Sequence, residues 1–282
     1  MKPILMKNLF CLSLLLVSIN SNAQYYYQDL VGISDMIQQM KVYAANKIQK
    51  VSSTGYTPNG AVSSDYNETQ EINPDFQQLR ITTLVDKQIS RVTYKFDEQG
   101  RLQSLTDSSS GIKSISVYIY DKSEKLIEIT NTMKDSLQDF NQTETHLWIY
   151  NNNKPEKMWR IINKTDSLEV RFKTDENGNV TEEQNFKKGK GSDPVYYYYD
   201  NKNRLTDIVR YNAKAKRLMP DYMFEYDNSN RVIQKITTVS NLNLGYLTWR
   251  YLYNENGLKT KEALFNKEKQ LQGRIDYSYT SY

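Results

Sequence analysis

The sequence predicts an all-β protein: an antiparallel meander of about seven β-hairpin repeats in an open or spiral sheet, with a short helical segment at its N-terminal end. Three observations support this fold class. A short phrase with two aromatic residues recurs along the chain, and turn-forming residues follow it at regular places. The 282 residues also include 23 tyrosines, a composition that favours strands over helices.

The recurring phrase reads aromatic, any residue, aromatic, Asp or Asn, two polar residues, and often Gly or Asn. Aromatic residues two apart point to the same face of a strand. An Asp or Asn after the strand starts a turn by bonding its own backbone, and Gly accepts the positive φ that a short hairpin loop requires. The seven turn positions are 24 to 30 residues apart: Asp97, Asp121, Asn151, Asp175, Asp200, Asp227 and Asn254.

Residues 1–23 have the features of a secretory signal peptide. Two lysines precede a short apolar run, and the small residues Ser21 and Ala23 occupy the positions that precede a cleavage site. The apolar run is too short to span a membrane, which needs roughly 20 residues. We therefore expect an exported protein that is periplasmic, at the cell surface or secreted.

Removal of the signal peptide would take with it Cys11, which is the only cysteine. It would also leave 35 of the 37 basic residues against 33 acidic ones. This near balance, without a clustered basic face, does not indicate a nucleic-acid partner. The mature chain is left without disulfides or thiol chemistry, and no second apolar run approaches a membrane span.

The chain after the signal peptide is predicted to have two parts, an N-terminal helical segment and linker at 24–77 and the hairpin-repeat domain at 78–282. Apolar residues at three- and four-residue steps from Gln28 to about Val51 predict one amphipathic helix, with a break near Gly32 as an alternative. Residues 52–73 are rich in Ser, Thr, Gly, Asn and Pro and predict a linker or long loop.

The clearest copies of the phrase, at 94–102, 197–205 and 224–232, end in Arg followed by Leu or Val. This phrase resembles the YD repeats of Rhs-type proteins over about residues 90–265, in particular those of small secreted proteins of Gram-negative bacteria. The resemblance implies hairpins that wind into a β-spiral, and exported relatives are associated with carbohydrate or surface binding. It implies no functional residues, because the matching positions are architectural.

The sequence contains no convincing catalytic, cofactor-binding or metal-binding set. His146 is the single histidine, and the repeat places it on the aromatic face as a packed residue, so neither a zinc site nor a Ser-His-Asp triad is expected. The acidic pair Glu182 and Glu183 keeps a carboxylate-based carbohydrate hydrolase open as an alternative, although neighbouring strand residues face opposite sides. We expect a protein that is not an enzyme and has no cofactor.

Four consecutive tyrosines at 196–199 are the most distinctive candidates for ligand binding. Tyr197 and Tyr199 fall on the aromatic face of the repeat, whereas Tyr196 and Tyr198 point to the other face. Tyrosine stacks on sugar rings and supplies contact area at low entropic cost. Tyr196 and Tyr198 are therefore predicted ligand-binding residues of a non-enzymatic, extracytoplasmic binding or structural protein, with a glycan or a cell-envelope protein as partner.

Overall fold

The computed structural model describes residues 25–109, 111–135, 140–238 and 245–282; the predicted signal peptide at 1–23 lies outside them. The described residues form one α-helix and nineteen β-strands in a single antiparallel sheet. Each strand pairs with the next along the chain, except that the two-residue strand β12 pairs only with β11, and β11 continues to β13.

The helix α1 spans Gln28–Ala45. The strands are β1 (Ile48–Tyr56), β2 (Val62–Ile72), β3 (Gln78–Val85), β4 (Gln88–Phe96), β5 (Leu102–Ser109), β6 (Ile112–Tyr120), β7 (Leu126–Asp135), β8 (Phe140–Asn151), β9 (Lys154–Ile162), β10 (Asp166–Thr174), β11 (Val180–Lys187), β12 (Lys190–Gly191), β13 (Val195–Tyr199), β14 (Leu205–Asn212), β15 (Arg217–Tyr226), β16 (Val232–Thr238), β17 (Tyr246–Tyr253), β18 (Lys259–Phe265) and β19 (Leu271–Ser281).

The sheet closes on itself because β1 pairs with both β2 and β19. Val51 lies opposite Gln70 of β2 on one side and opposite Tyr279 of β19 on the other. Within the described residues, eighteen strands thus form a closed barrel, and β12 extends one edge of β11. The predicted open or spiral sheet of about seven hairpins is wrong. Each hairpin phrase specifies only a local pair of strands, whereas closure joins strands from opposite ends of the chain.

The predicted linker at 52–73 instead contributes most of β1 and β2. These strands carry polar side chains at positions that face the inside of the barrel, including Ser53, Glu68 and Gln70, and all three are buried. The Glu68 carboxylate accepts hydrogen bonds from Gln70 Nε2 at 3.0 Å and from Thr83 Oγ1 at 3.1 Å. These polar residues meet their hydrogen-bond partners only in the folded barrel. Their local sequence, taken alone, therefore has the composition of a loop.

Inside and outside residues alternate along each strand. On β4, Val92, Tyr94 and Phe96 are buried inside the barrel, whereas Arg91 and Lys95 are exposed outside it. Buried apolar residues of β1 to β11, β13 and β14 join those of α1 in one main cluster, and Leu247, Trp249 and Leu264 of β17 and β18 form a second, smaller one, so the lumen is packed. Each large apolar side chain buried there contributes about 1.5–3 kcal/mol.

The amphipathic helix predicted near the N-terminal end is confirmed as α1. It continues through Gly32 without a break and ends at Ala45. Its apolar side packs into the lumen through Ile33, Met40 and Tyr43. The opposite side carries an exposed polar stripe made of Ser34, Asp35, Gln38 and Lys41.

The repeated phrase forms the turns at one rim of the barrel. In the turn that begins at Asp200, the carboxylate accepts hydrogen bonds from the backbone N–H of Arg204 at 3.0 Å and from its Nε at 2.7 Å. Asn203 takes a φ of +59°, as the last position of such a loop requires. Asp97 and Asp227 make the same bonds to the arginine four residues later.

The basic residue and the second aromatic residue of the phrase join each turn to the next. The Arg204 guanidinium lies 4.7 Å from the ring centroid of Tyr226 and donates to the carbonyl of Asp227 at 2.9 Å. The Tyr226 hydroxyl donates to the carbonyl of Leu205 at 2.7 Å. The same tyrosine bond recurs at Tyr120, Tyr150, Tyr199 and Tyr253. The conspicuous residues of the repeat therefore hold the rim together.

Candidate functional site

Charged side chains occupy outward positions in the middle of several described strands. Arg91 on β4, Arg171 on β10 and Arg250 on β17 are all exposed. Outward positions also carry exposed apolar side chains, such as Val117 on β6 and Leu252 on β17. The outer wall is therefore mixed in composition. Separately, no helix among the described residues is long and apolar enough to cross a membrane.

A groove of about 470 Å³ lies on this outer wall across β9, β10 and β11. Its lining residues are Glu156, Lys157, Glu169, Arg171, Phe172, Lys173, Glu182, Gln184 and Phe186. In the register of the sheet, Arg171 lies opposite Lys157 on one side and Gln184 on the other. The groove therefore brings side chains from three neighbouring strands together on one face.

Two ion pairs and one aromatic ring define the chemistry of the groove. The Glu169 carboxylate accepts hydrogen bonds from Arg171 Nε at 3.1 Å and Nη2 at 2.9 Å, and this pairing lowers its pKa. Lys173 Nζ lies 2.9 Å from the carboxylate of Glu182. The Arg171 guanidinium also lies 4.2 Å from the ring centroid of Phe186. The groove therefore offers an aromatic face beside hydrogen-bonding groups of both charges.

The predicted ligand-binding residues Tyr196 and Tyr198 lie on the outer wall, and Tyr196 is beside the groove. Tyr196 is the register partner of Glu182, so it stands next to the groove on β13. Tyr198 is 48% exposed. Tyr197 and Tyr199 face the lumen, where Tyr197 is 2% exposed. The role of Tyr196 and Tyr198 in binding stays a prediction.

Sequence reasoning missed the two central groove residues, Arg171 and Phe186. They are fifteen positions apart on two strands joined by the turn that begins at Asp175. The turn was recognised in the sequence. If strand residues are paired in order from this turn, with one extra residue allowed for the bulge near Thr174, Arg171 and Phe186 fall on the same face of the sheet.

Inside the barrel, Glu183 holds the start of α1. Its carboxylate accepts hydrogen bonds from the backbone N–H of Tyr26 and Tyr27, both at 2.9 Å, and from the hydroxyl of Tyr197 at 2.7 Å. A helix N-terminus carries partial positive charge, which favours an acidic partner. Burial raises the pKa of Glu183 to about 7, although these three hydrogen bonds lower it.

His146 forms a second buried contact with α1. Its Nδ1 lies 2.6 Å from Asp29 of α1, and its Nε2 lies 2.9 Å from Glu144 of β8. Burial alone would lower the pKa of His146, but the two carboxylates outweigh it and raise the pKa to about 9. Arg160 also pairs with Glu144, and the two cations lower the pKa of that carboxyl to about 2 against the effect of burial.

These arrangements offer little to catalysis. Both nitrogens of His146 are engaged and the residue is 7% exposed, so the ring has no free nitrogen for a substrate. Glu169 is paired with Arg171 and its lowered pKa is opposite to what a general acid requires. Among the residues that the structure describes, no group of three or more His, Cys, Asp or Glu side chains is placed to hold a metal ion.

No protein-family model and no curated protein matches the chain. Among solved structures, it is similar to a porin-like protein from Bacteroides uniformis, with 10% identity and a TM-score of 0.44 over 83% of this chain and 98% of that one. A porin-like protein from Bacteroides vulgatus gives 12% identity and a TM-score of 0.25 over 83% and 99% of the two chains. The Tc holotoxin pore of Photorhabdus luminescens gives 14% identity and a TM-score of 0.33 over 79% of this chain and 12% of that one. Identities and TM-scores this low carry no argument about function.

The expected membership of the YD-repeat, Rhs-type proteins is wrong. No family model matches the chain. The hairpins also close into a barrel, whereas the resemblance implied a spiral. The shared phrase reflects the requirements of a strand, a tight turn and a bond to the next hairpin, which a closed barrel meets equally well.

Proposed function

We propose that the chain is an exported, non-enzymatic barrel protein of the cell envelope that binds glycans in the groove of its outer wall. Export rests on the sequence of residues 1–23. Two of the three carboxylates that line the groove, those of Glu169 and Glu182, are held in ion pairs; this pairing and the enclosed His146 support a binding role over a hydrolytic one.

The observation that carries this proposal is the combination of the Arg171–Phe186 stack with two exposed ion pairs in one open groove. A sugar ring has an apolar face, which packs against aromatic rings, and a rim of hydroxyls, which bond to charged side chains. Open grooves admit chains that extend beyond the site at both ends. Tyr196, next to Glu182, would lengthen the aromatic surface.

The test is binding of the full chain to an array of soluble oligosaccharides and polysaccharides, followed by calorimetry on those that bind. We expect Phe186→Ala to weaken binding at least tenfold, because the ring supplies the stacking surface. The barrel contains a matched control, since Arg250 lies 5.4 Å from the ring centroid of Phe265 on the outer wall of β17 and β18. Phe265→Ala should leave binding unchanged. Equal effects of the two substitutions would reject the groove as the site.

A second candidate function is the binding of a cell-envelope protein, and one observation favours it. Ile115, Val117 and Ile119 project from β6 to the outside, each more than a third exposed. Exposed apolar patches of this kind mark protein contacts. Val117→Lys should abolish capture of an envelope protein by the immobilised chain, whereas Phe186→Ala should not.

A further inference from the structure

The packing of the lumen is less complete beside β15 and β17 than beside β4, β8, β10 and β13. The inward-facing rings of Tyr222 and Phe224 on β15 and of Tyr251 on β17 are half-buried. Comparable inward-facing rings on the other four strands are at most 8% exposed, namely those of Tyr94, Trp148, Phe172 and Tyr197. Rings that face the lumen and still contact solvent line a recess inside the barrel wall.

The polar side of α1 borders this recess through Asp35. This residue is exposed, yet burial raises its pKa to about 6 against the opposing effect of the Lys235 ammonium on β16. Burial and the charge of Asp35 also raise the pKa of Tyr226 on β15. A carboxyl group that water reaches and protein nevertheless surrounds lies in a recess, and its interaction partners place it opposite β15 and β16.

Lys235 occupies the centre of the aromatic surface. Its register partners are Phe224 of β15 on one side and Trp249 of β17 on the other. Lys235 Nζ lies 5.2 Å from the ring centroid of Tyr222. Burial lowers the pKa of Lys235, because an ammonium group that has lost part of its hydration is stabilised less well as a charge. Such a group gains from contact with an anion.

Asp35 and Lys235 have no ion-pair or hydrogen-bond partner within the described parts of the chain. The neighbouring charges are instead paired with each other. Lys259 Nζ lies 3.1 Å from the carboxylate of Glu262 and 5.0 Å from the ring centroid of Tyr251. Of these four charged residues, Asp35 and Lys235 are therefore the two that a ligand can pair with, and their charges are opposite.

We propose that this recess binds a small zwitterion, an α-amino acid with an apolar side chain. The ligand carboxylate contacts Lys235, the ligand ammonium contacts Asp35, and the side chain packs against Tyr222, Phe224 and Tyr251. Small-molecule sites combine an apolar lining with a few convergent polar groups in this way. A ligand with one charge would leave Asp35 or Lys235 without a partner. The recess is separate from the outer groove, and the inference is independent of glycan binding.

The test compares three ligands that share one phenylethyl body. L-phenylalanine carries both charges, 3-phenylpropionate lacks the ammonium group, and 2-phenylethylamine lacks the carboxylate. Calorimetry on the full chain should show that L-phenylalanine binds about tenfold more tightly than either, because it makes both charge-assisted contacts. Glycine keeps both charges without the apolar side chain and should bind at least about tenfold more weakly than L-phenylalanine.

Two substitutions separate the two charged contacts. Lys235→Met should weaken the binding of L-phenylalanine and 3-phenylpropionate about tenfold and should not weaken that of 2-phenylethylamine. Asp35→Asn should weaken the binding of L-phenylalanine and 2-phenylethylamine and should not weaken that of 3-phenylpropionate. A matched control is Lys95→Met, because Lys95 is an exposed lysine on the outer wall of β4. This control should bind L-phenylalanine as the unmodified chain does.

The ligand series uses the unmodified chain, so it decides the inference even where a variant fails to fold. Equal affinities for L-phenylalanine and 3-phenylpropionate would indicate a site for simple anions, and equal affinities for L-phenylalanine and 2-phenylethylamine a site for organic cations. Equal affinity for glycine would exclude a role of the rings. Absence of binding to all of these ligands, or binding of L-phenylalanine that neither Lys235→Met nor Asp35→Asn weakens, would reject the recess as the site.

Discussion

Glu182 and Glu183 are consecutive residues of β11 that face two different regions of the molecule. Glu182 points into the outer groove, where its partner Lys173 is largely exposed. Glu183 points into the lumen, is 1% exposed and accepts three hydrogen bonds from Tyr26, Tyr27 and Tyr197. An exposed ion pair contributes about 0–1 kcal/mol and exchanges partners easily, whereas a buried charge depends on every partner it has. The same residue type therefore stabilises the fold on one side of the sheet and is free to bind on the other.

Among the substitutions that test this contrast, His146→Ala should change the free energy of unfolding most. It removes the cation between Asp29 and Glu144 and leaves both carboxylates in the lumen, so we expect the free energy of unfolding to fall by roughly 3–5 kcal/mol. Chemical denaturation measures the change. Lys173→Ala, which removes the cation of an exposed pair, should leave the denaturation midpoint nearly unchanged. Equal losses in the two variants would remove the distinction between lumen and groove.

The pH dependence of the free energy of unfolding should reflect the buried titratable groups of the lumen. Glu183 has a pKa of about 7 in the folded protein, above its ordinary value of 4.5, so the folded state holds this proton more tightly than the unfolded state does. Stability therefore falls as the pH rises from about 4.5 to about 7. His146 has a folded pKa of about 9 against 6.5, so its contribution is complete below 6.5 and is lost as the pH rises through 9. Each shift corresponds to about 3 kcal/mol. The lowered pKa of Glu144 acts with the opposite sign, because its contribution is lost as the pH falls below 4.5 toward 2.

The free energy of unfolding should therefore be greatest at about pH 5 and decline in two steps toward alkaline pH. Urea denaturation at a series of pH values measures this profile. Glu183→Gln should remove the first step and His146→Gln the second. Stability that increases from about pH 5 to about pH 8 would contradict the buried network.

A smaller loss of stability is expected at the rim. Tyr226→Phe removes the hydroxyl that donates to the Leu205 carbonyl and should lower the free energy of unfolding by about 1 kcal/mol. Tyr211→Phe changes an exposed tyrosine of the outer wall and should have no measurable effect. Denaturation curves of both variants test this, and an unchanged Tyr226→Phe variant would show that the rim bonds add nothing to stability.

The local parts of the fold could be predicted from the sequence. The turn that begins at Asp200 follows from an acidic residue, a residue that accepts positive φ and a basic residue at fixed spacing. Helix α1 follows from apolar residues at helical steps. Closure could not be predicted, because it depends on the pairing of Val51 with Tyr279, and polar inward residues such as Glu68 disguise the strands that make it.

The candidate site was predictable only in part, for a related reason. The outward direction of Tyr196 and Tyr198 follows from the two-residue period of a strand. The groove beside them depends on the register that places Arg171 against Phe186 and on the pairing of Glu169, neither of which a single strand encodes. The resemblance to repeats led to the wrong family because the recurrent residues form the rim and not the groove.

The central claim is that charges facing the lumen hold the barrel together and charges facing outward do not. The free energy of unfolding of Glu182→Ala and Glu183→Ala, measured side by side, tests it most directly, because the two residues share a strand and differ only in the side they face. We predict a change below about 0.5 kcal/mol for Glu182→Ala and a loss of about 3 kcal/mol for Glu183→Ala. Equal changes in the two variants, or a larger loss for Glu182→Ala, would contradict the account.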